Sequence, residues 1–343
     1  MGKISSILFQ SASALKKISL ALSCAFSFSY ASQLKSDEYV AFIPSVAYDF
    51  NNTEIAVEIK AFVYEKEGRP FFNDILLAFI GANIEDLEAK QKERFYERSA
   101  LFKIDFEGGK EFAARFNDKN VYKMPTTKDG KSETIVKIQK PNKPPKLINF
   151  EVDKPKYPKN VEKGYAVYAS SEGVAAIFDI DDTIKDSNVL DKKALLANTF
   201  FNEYKAVEGV KEIFESIKSL DNPSFHYVSA SPAQLYPALK EFFDKEGFPI
   251  GSFHLRDATD FGDFAANKEK LMEHKRNAIE KLFKAYPKRR FILVGDSGEN
   301  DPEIYAEFNK KYPDRVIKVI VHNITNENKE SARFKDIANL TFY

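Results

Sequence analysis

The sequence predicts an α/β protein in two parts, a parallel-sheet domain over residues 161–343 behind a smaller β-sandwich-like domain over residues 38–150. Two patterns and one boundary predict it. In the second half, short apolar runs (Val174–Phe178, Phe225–Val228, Phe291–Val294, Val316–Val321) are separated mostly by long helical stretches, the signature of a parallel sheet. In the first half, Ile55, Val57, Ile59, Ala61 and Val63 alternate with polar residues, the period of a half-buried strand. Between them a Lys/Pro stretch with Pro141, Pro144, Pro145, Pro155 and Pro158 stiffens the chain, and a connector is expected at 151–160.

Residues 1–31 differ in composition from the rest of the chain. Lys3, Lys16 and Lys17 precede an uncharged, Ser-rich apolar run from Ile18 to Tyr30, and Ser29-Tyr30-Ala31 offers small residues at both positions a signal peptidase reads. A secretory signal peptide cut after Ala31 is expected, because the run is short for a membrane anchor. Cys24, the only cysteine, falls within it, so the mature chain has no disulfide or thiol chemistry. Lipidation of Cys24 is the minor alternative, since Ala21 stands where such a site wants a Leu-like residue. Removal of the leader leaves 48 basic against 51 acidic residues, a charge of −3, and no global field selects a nucleic acid.

Within 38–150 a charged amphipathic helical insertion is expected over about 73–98. A hairpin is expected at Gly108-Gly109, between the alternating runs 102–106 and 112–116.

Four elements in the second half carry chemistry. Asp179-Ile180-Asp181-Asp182-Thr183 follows an apolar strand, where parallel sheets place their active sites. Of two carboxylates two residues apart, one can attack phosphorus while the other passes protons. Taken alone, an Asp-rich turn with Thr183 as a helix cap fits equally. Ser229 ends the next strand, and Ser231-Pro232 suits a helix start and a phosphate cradle, or simply a cap. Lys275 lies four residues from both Leu271 and Ile279, inside an apolar helix stripe, where an ammonium needs an anionic partner unless it snorkels to the rim. Lys268, Lys270 and Lys281 compete with it. Gly295-Asp296-Ser297-Gly298-Glu299-Asn300-Asp301 ends a further strand and offers the oxygens a hard cation needs, or is an exposed acidic loop.

Acidic pair, serine, lysine and Gly-Asp loop, in that order, resemble the haloacid dehalogenase superfamily. The motifs Asp179–Lys185, Phe225–Pro232 with Gln234–Pro237, Ser252–Leu255 and Phe291–Glu299 are similar to the actin-patch-protein type phosphatidate phosphatases, relatives of the lipins, over about Glu172 to Tyr305. Val63-Tyr64-Glu65 is similar to that family's N-terminal region. The resemblance implies a Rossmann-like sheet of haloacid dehalogenase type with a small or no cap, a Mg²⁺ cofactor and a phospho-aspartate intermediate. It implies Asp179 as nucleophile and Asp181 as general acid/base and metal ligand through its carbonyl. Ser229 would bind phosphate, grouped with Thr183 and Ser231, and Lys275 would neutralise nucleophile and phosphate. Asp296 would complete the metal site with Asp179 and Asp181, with Asp301 beside it. Arg256-Asp257-Ala258 stands where that family is expected to be more basic.

Hydrolysis of phosphatidate or a related lipid phosphate is therefore expected, by a protein exported to the periplasm or exterior, with peripheral membrane contact and no nucleic-acid partner. The alternatives are a periplasmic phosphatase for soluble monoesters and a binding protein on an inactive phosphatase fold. About 45 residues separate Asp179 from the second strand, room for a flap and a helical insert but no large cap.

Overall fold

The structure, a computed structural model, describes residues 32–116, 120–257 and 267–343. The expected leader, with Cys24 and the cut after Ala31, lies outside them, as does Ala258. Among the described residues no helix is long and apolar enough to cross a membrane.

The chain opens with β1 (Glu38–Ile43), β2 (Ser45–Asp49) and the long β3 (Glu54–Lys66), then α1 (Phe72–Ile80) and α2 (Ala89–Ala100). It continues through β4 (Ile104–Phe106), β5 (Glu111–Phe116), β6 (Val121–Pro125), β7 (Lys131–Gln139), β8 (Leu147–Val152) and β9 (Lys163–Ala169). These strands form one sheet, ordered β1-β3-β2-β9-β8-β5-β6, with β4 and β7 also on β3; its pairs are antiparallel except β2 with β9. The β3 stripe Ile55 to Val63 shares one core with Phe112, Phe116, Phe150 and Val152, so the sheet curls over its own apolar face.

Three expectations change here. Gly108-Gly109 joins no hairpin: β4 pairs with β3, whereas β5 pairs with β6 and β8. A Cβ at Gly108 would lie 2.2 Å from the Lys128 carbonyl oxygen, so close backbone approach is what requires that glycine. The helical insertion is two helices broken at Gly81, whose φ of 79° ends α1. The connector does not hand over to the second sheet at 161, because β9 returns to pair with β2 and β8. Alternation alone could not say which sheet that strand joins.

The second sheet follows Gly173. It is built from β10 (Val174–Phe178), β11 (Ser224–Pro232), β12 (Ser252–Arg256), β13 (Arg290–Asp296), β14 (Val316–His322) and β15 (Leu340–Phe342). All six are parallel, in the order β12-β11-β10-β13-β14-β15. The four expected strands are its centre, and β12 and β15 are its edges. The helices α3 (Lys192–Phe200), α4 (Val210–Lys218), α5 (Tyr236–Glu246), α6 (Lys268–Ala285) and α7 (Asp301–Lys311) flank it.

Every residue of β10 is buried, since both faces of a parallel sheet are covered. Ala175 and Ile177 join Ile279, Phe283 and Tyr305 on one face; Ala176 and Phe178 join Phe214 and Tyr227 on the other. The second core also takes in Phe72, Leu76, Leu77, Ile80, Phe95 and Phe102 from the first region. Thus α1 and α2 leave their own sheet to pack on α3, and Arg98 donates to the carbonyls of Thr199 and Asn202 at 2.7 Å each. Lys281 of α6 ion-pairs with Glu58 of β3 and Glu133 of β7, tying the sheets together on another side.

Candidate active site

The register Phe178↔Val294 between β10 and β13 puts Asp179 and Asp296 at one edge of the parallel sheet. Asp179 still belongs to that ladder through its amide, which donates to the Val294 carbonyl at 2.8 Å. Beyond it the chain turns tightly, with Asp182 at a φ of 51°. The Asp182 carboxylate accepts from the amides of Ser187 (2.7 Å), Asn188 (2.8 Å) and Val189 (2.6 Å), so it pins the segment 187–189 over the site. No helix starts at Thr183, and the cap alternative fails. Its hydroxyl is buried without a hydrogen-bond partner among the described residues, which leaves it available to a ligand.

Lys275 is 4% exposed, and its ammonium lies 2.8 Å from Asp179 Oδ1, 2.8 Å from Glu299 Oε2 and 2.7 Å from Asp301 Oδ1. Burial alone would lower its pKa, but Asp179, Asp301 and Glu299 outweigh that and hold it well above the usual lysine value. Its competitors do not reach these carboxylates: Lys268 and Lys270 are exposed at the start of α6, and Lys281 is engaged by the first sheet.

Asp181 faces a separate set of partners. Oδ1 meets Lys185 Nζ and the Ser187 hydroxyl at 2.7 Å each, and Oδ2 accepts from the Ser231 hydroxyl at 2.7 Å. Burial pushes this carboxyl up, yet the buried Lys185 ammonium, helped by the Ser231 and Ser187 hydrogen bonds, holds it at about 2. Ser229 is buried beside it, its Oγ accepting from the Ser231 amide at 2.9 Å. The helix-start expectation at Pro232 is corrected: Pro232 is extended (φ −59°, ψ 141°) and ends β11, and α5 begins only at Tyr236 after a single 3-10 turn. Proline fixes φ but leaves ψ free, so it suits a strand end as well as a helix start.

Asp296 Oδ1 accepts from the amides of Gly298 (2.6 Å) and Glu299 (2.9 Å). Gly295 must be glycine, since an added Cβ would lie 2.3 Å from Asp301 Oδ2. Among the described residues, both oxygens of Asp179, and Oδ2 of Asp296, are buried without a well-directed hydrogen bond. Burial pushes both carboxyls well above the usual range; Asp301 and Glu299 add to it at each, and Lys275 opposes it. One ammonium cannot balance Asp179, Asp296, Glu299 and Asp301 in a desolvated space, which is the electrostatic case for a cation.

Oxygens of Asp179, Asp296 and Glu299 come within 4.8 Å of one another, a hard-donor set that fits Mg²⁺. Of the expected ligands, Asp179 and Asp296 are brought together. Asp181, expected to reach the ion through its carbonyl, turns its carboxylate to Lys185 and the serines, and Asp301 holds Lys275 and the Asp296 amide (3.3 Å). Glu299, absent from the expected set, is the third carboxylate of this close group. It stands in the acidic loop, but which of that loop's carboxylates turns inward depends on the turn at Gly298. Lys185 is likewise outside the expected set, although it lies four residues after Asp181 in the first motif. Arg256, in the stretch that departs from the resembled family, donates to the Ala230 carbonyl at 3.0 Å and so flanks the serine loop.

Carboxylates, serines and a buried lysine are thus gathered at one edge of the parallel sheet of an α/β domain. Residues 174–323 match the family described as "Phosphatidate phosphatase APP1, catalytic domain". The chain is 32% identical over 165 residues to "Phosphatidate phosphatase APP1" of Saccharomyces cerevisiae (47% of this chain, 28% of the relative). It is 31% identical over 160 residues to "Uncharacterized protein C29B5.04c" of Schizosaccharomyces pombe (45% and 26%). It therefore spans about a quarter of the length of the curated relatives it matches. The chitinase ChiW of Paenibacillus sp. shares 8% identity at a TM-score of 0.19 (87% of this chain, 29% of that one), too slight a likeness to define the fold.

Proposed function

We propose that this protein is a Mg²⁺-dependent phosphatase of haloacid dehalogenase type, working through phospho-Asp179 on phosphatidate or a related lipid phosphate. The observation that carries the chemistry is the Asp179 carboxylate, buried at a strand end and facing Lys275 at 2.8 Å, with neither oxygen held by a directed hydrogen bond. A carboxylate used for structure would be fully hydrogen-bonded; one held only by an ion pair to Lys275 keeps lone pairs for attack. The lipid substrate rests on the family matched by residues 174–323.

Asp179, Asp296 and Glu299 would hold the Mg²⁺ ion, which supplies positive charge against the carboxylates and the phosphoryl oxygens. Lys275 neutralises the nucleophile and the phosphoryl group from the α6 side. The Thr183 hydroxyl, and that of Ser229 once it leaves Asp181 Oδ2 (3.5 Å), would donate to phosphoryl oxygens. Attack by Asp179 forms the acyl-phosphate and breaks the ester bond, and the leaving oxygen takes a proton from Asp181. The dianionic substrate offsets the Lys185 ammonium and lets Asp181 arrive protonated. Asp181 then accepts a proton from the water that cleaves the acyl-phosphate, releasing inorganic phosphate and bare Asp179.

The leader-like composition of residues 1–31 supports a site of action outside the cytoplasm. Phosphate release is to be measured with Mg²⁺ or excess chelator, on phosphatidate vesicles, dispersed short-chain phosphatidate and a small aryl phosphate. Turnover of both phosphatidates, lost with chelator, is expected. Turnover of the aryl ester alone would replace the lipid reading with a soluble-monoester one, and no turnover at all would leave a binding protein.

A further inference from the structure

The outer face of α1, beside the candidate active site, is exposed and apolar apart from Asp74. Phe71, Ile75 and Phe79, spaced four apart, are 74%, 54% and 39% exposed, while Phe72, Leu76, Leu77 and Ile80 fill the core on the inner face. A helix apolar on both its inner and outer sides, with only Asn73 and Asp74 polar, favours burial or a lipid phase over water, and only one side of α1 is covered by this chain. Phe71 is held outward at a φ of 63°, a left-handed conformation that aromatic side chains rarely adopt.

This face continues to the mouth of the site. Lys192 Nζ sits over the Phe79 ring at 5.0 Å, and Gly81, at the end of α1, abuts the Lys193 side chain. Leu190, 60% exposed, comes two residues before Lys192 and one after Val189, whose amide is bound by Asp182 and whose side chain lies against Gly298. Aromatic and aliphatic side chains beside two exposed lysines, at the rim of a phosphate site, have the composition of an interfacial helix, with cations level with the lipid phosphates.

We propose that α1 and Leu190 form a docking face that inserts shallowly into an anionic lipid surface and presents lipid phosphates to Asp179. The proposal rests on the lipid-phosphatase reading for its purpose, but not for its measurement. The Lys/Pro stretch is less well placed. Lys140 is tied to Asp49 at 2.6 Å, and Asp49 also accepts from the Ser171 amide (3.0 Å), beside the amino end of β10 and opposite Asp179.

The test compares the full chain with a Phe71→Ser/Ile75→Ser/Phe79→Ser variant, all at exposed positions, and with a Lys192→Glu/Lys193→Glu variant. Binding is read by co-sedimentation with vesicles of phosphatidate in phosphatidylcholine and of phosphatidylcholine alone, mass by light scattering, and turnover on vesicles and on a small aryl phosphate. The triple variant should bind phosphatidate vesicles at least about tenfold more weakly, the loss expected for three partly inserted side chains, with its aryl-phosphate rate unchanged. The lysine variant should lose the preference for phosphatidate vesicles over neutral ones. Undiminished vesicle binding by the triple variant overturns the docking face. So does a native dimer that the triple variant converts to monomer, since a second copy would then cover α1. Native protein that docks but hydrolyses only the aryl ester leaves the docking face standing and defeats the lipid reading. Native protein that hydrolyses dispersed short-chain phosphatidate without binding vesicles does the reverse.

Discussion

On the proposed reading, Asp179, Asp296 and Glu299 form a cation half and Lys275 with Asp301 a substrate half, the two meeting where the Lys275 ammonium contacts Asp179 and Glu299. Asp179→Asn should leave the fold intact and cut phosphate release by at least about 10³-fold, because an amide cannot form the acyl-phosphate. Near-native turnover in that variant would end the mechanism. The two halves give opposite signatures. Glu299→Gln should raise the Mg²⁺ concentration for half-maximal activity, whereas Asp301→Asn, which loosens Lys275, should depress turnover that saturating Mg²⁺ does not restore. If Asp301→Asn alone shifts the Mg²⁺ requirement, the ion sits with Asp301. Most of these residues are legible in the sequence, because strand-end carboxylates and a lysine in an apolar stripe break the pattern of a simple core. Glu299 and Lys185 are not. Their roles depend on side-chain direction after a turn, which spacing does not encode.

At the level of elements, β11 and β12 carry a buried polar ladder that the sequence shows only as part of a motif. His226 lies between the Ser224 and Ser252 hydroxyls at 3.1 and 2.8 Å, and His254 Nε2 lies 2.9 Å from Ser252 Oγ. Burial, with Arg289 nearby, lowers His226 to about 3, and burial, with Lys60 and His226, keeps His254 well below the usual imidazole value. Both rings are neutral in the fold and charge on unfolding near pH 6.5, so between those limits the unfolded state binds more protons. Their contribution is complete above about pH 6.5 and is lost as pH falls, at up to about 1.4 kcal/mol per pH unit for each ring. Urea unfolding at pH 7 and pH 5.5 should show the decline, and ring NMR should show His226 still neutral at pH 5. A His226 titration midpoint near 6 would refute the neutral ladder. Strand existence is readable here from apolar runs, but strand partnership is not. The neighbours of β4 and β9 are set by long-range pairing and core shape, to which local alternation is blind.

For the whole molecule, the first region completes the core of the second. Phe72, Leu76, Leu77, Ile80, Phe95 and Phe102 pack in the same cluster as Phe178 and Tyr227, and α1 and α2 cover α3 at the mouth of the site. Apolar periodicity marks an insertion at about this place, but no local pattern says that a helix will be buried by a distant part of the chain. The consequence is a strict prediction about truncation. A fragment of residues 161–343 keeps every candidate catalytic residue, yet it loses those six side chains and leaves β9 without β2 and β8. Burial of each large apolar side chain contributes about 1.5–3 kcal/mol, against a typical net stability of about 5–15 kcal/mol for a domain. The missing contacts are therefore comparable to the whole stability, and the fragment should be insoluble or melt without cooperativity. Residues 32–343 should instead unfold in one transition, followed in parallel by circular dichroism and by loss of aryl-phosphate turnover. A fragment that melts cooperatively within a few degrees of the full chain would show that the parallel sheet stands alone. The first region would then be an attachment to the catalytic domain and no part of its core.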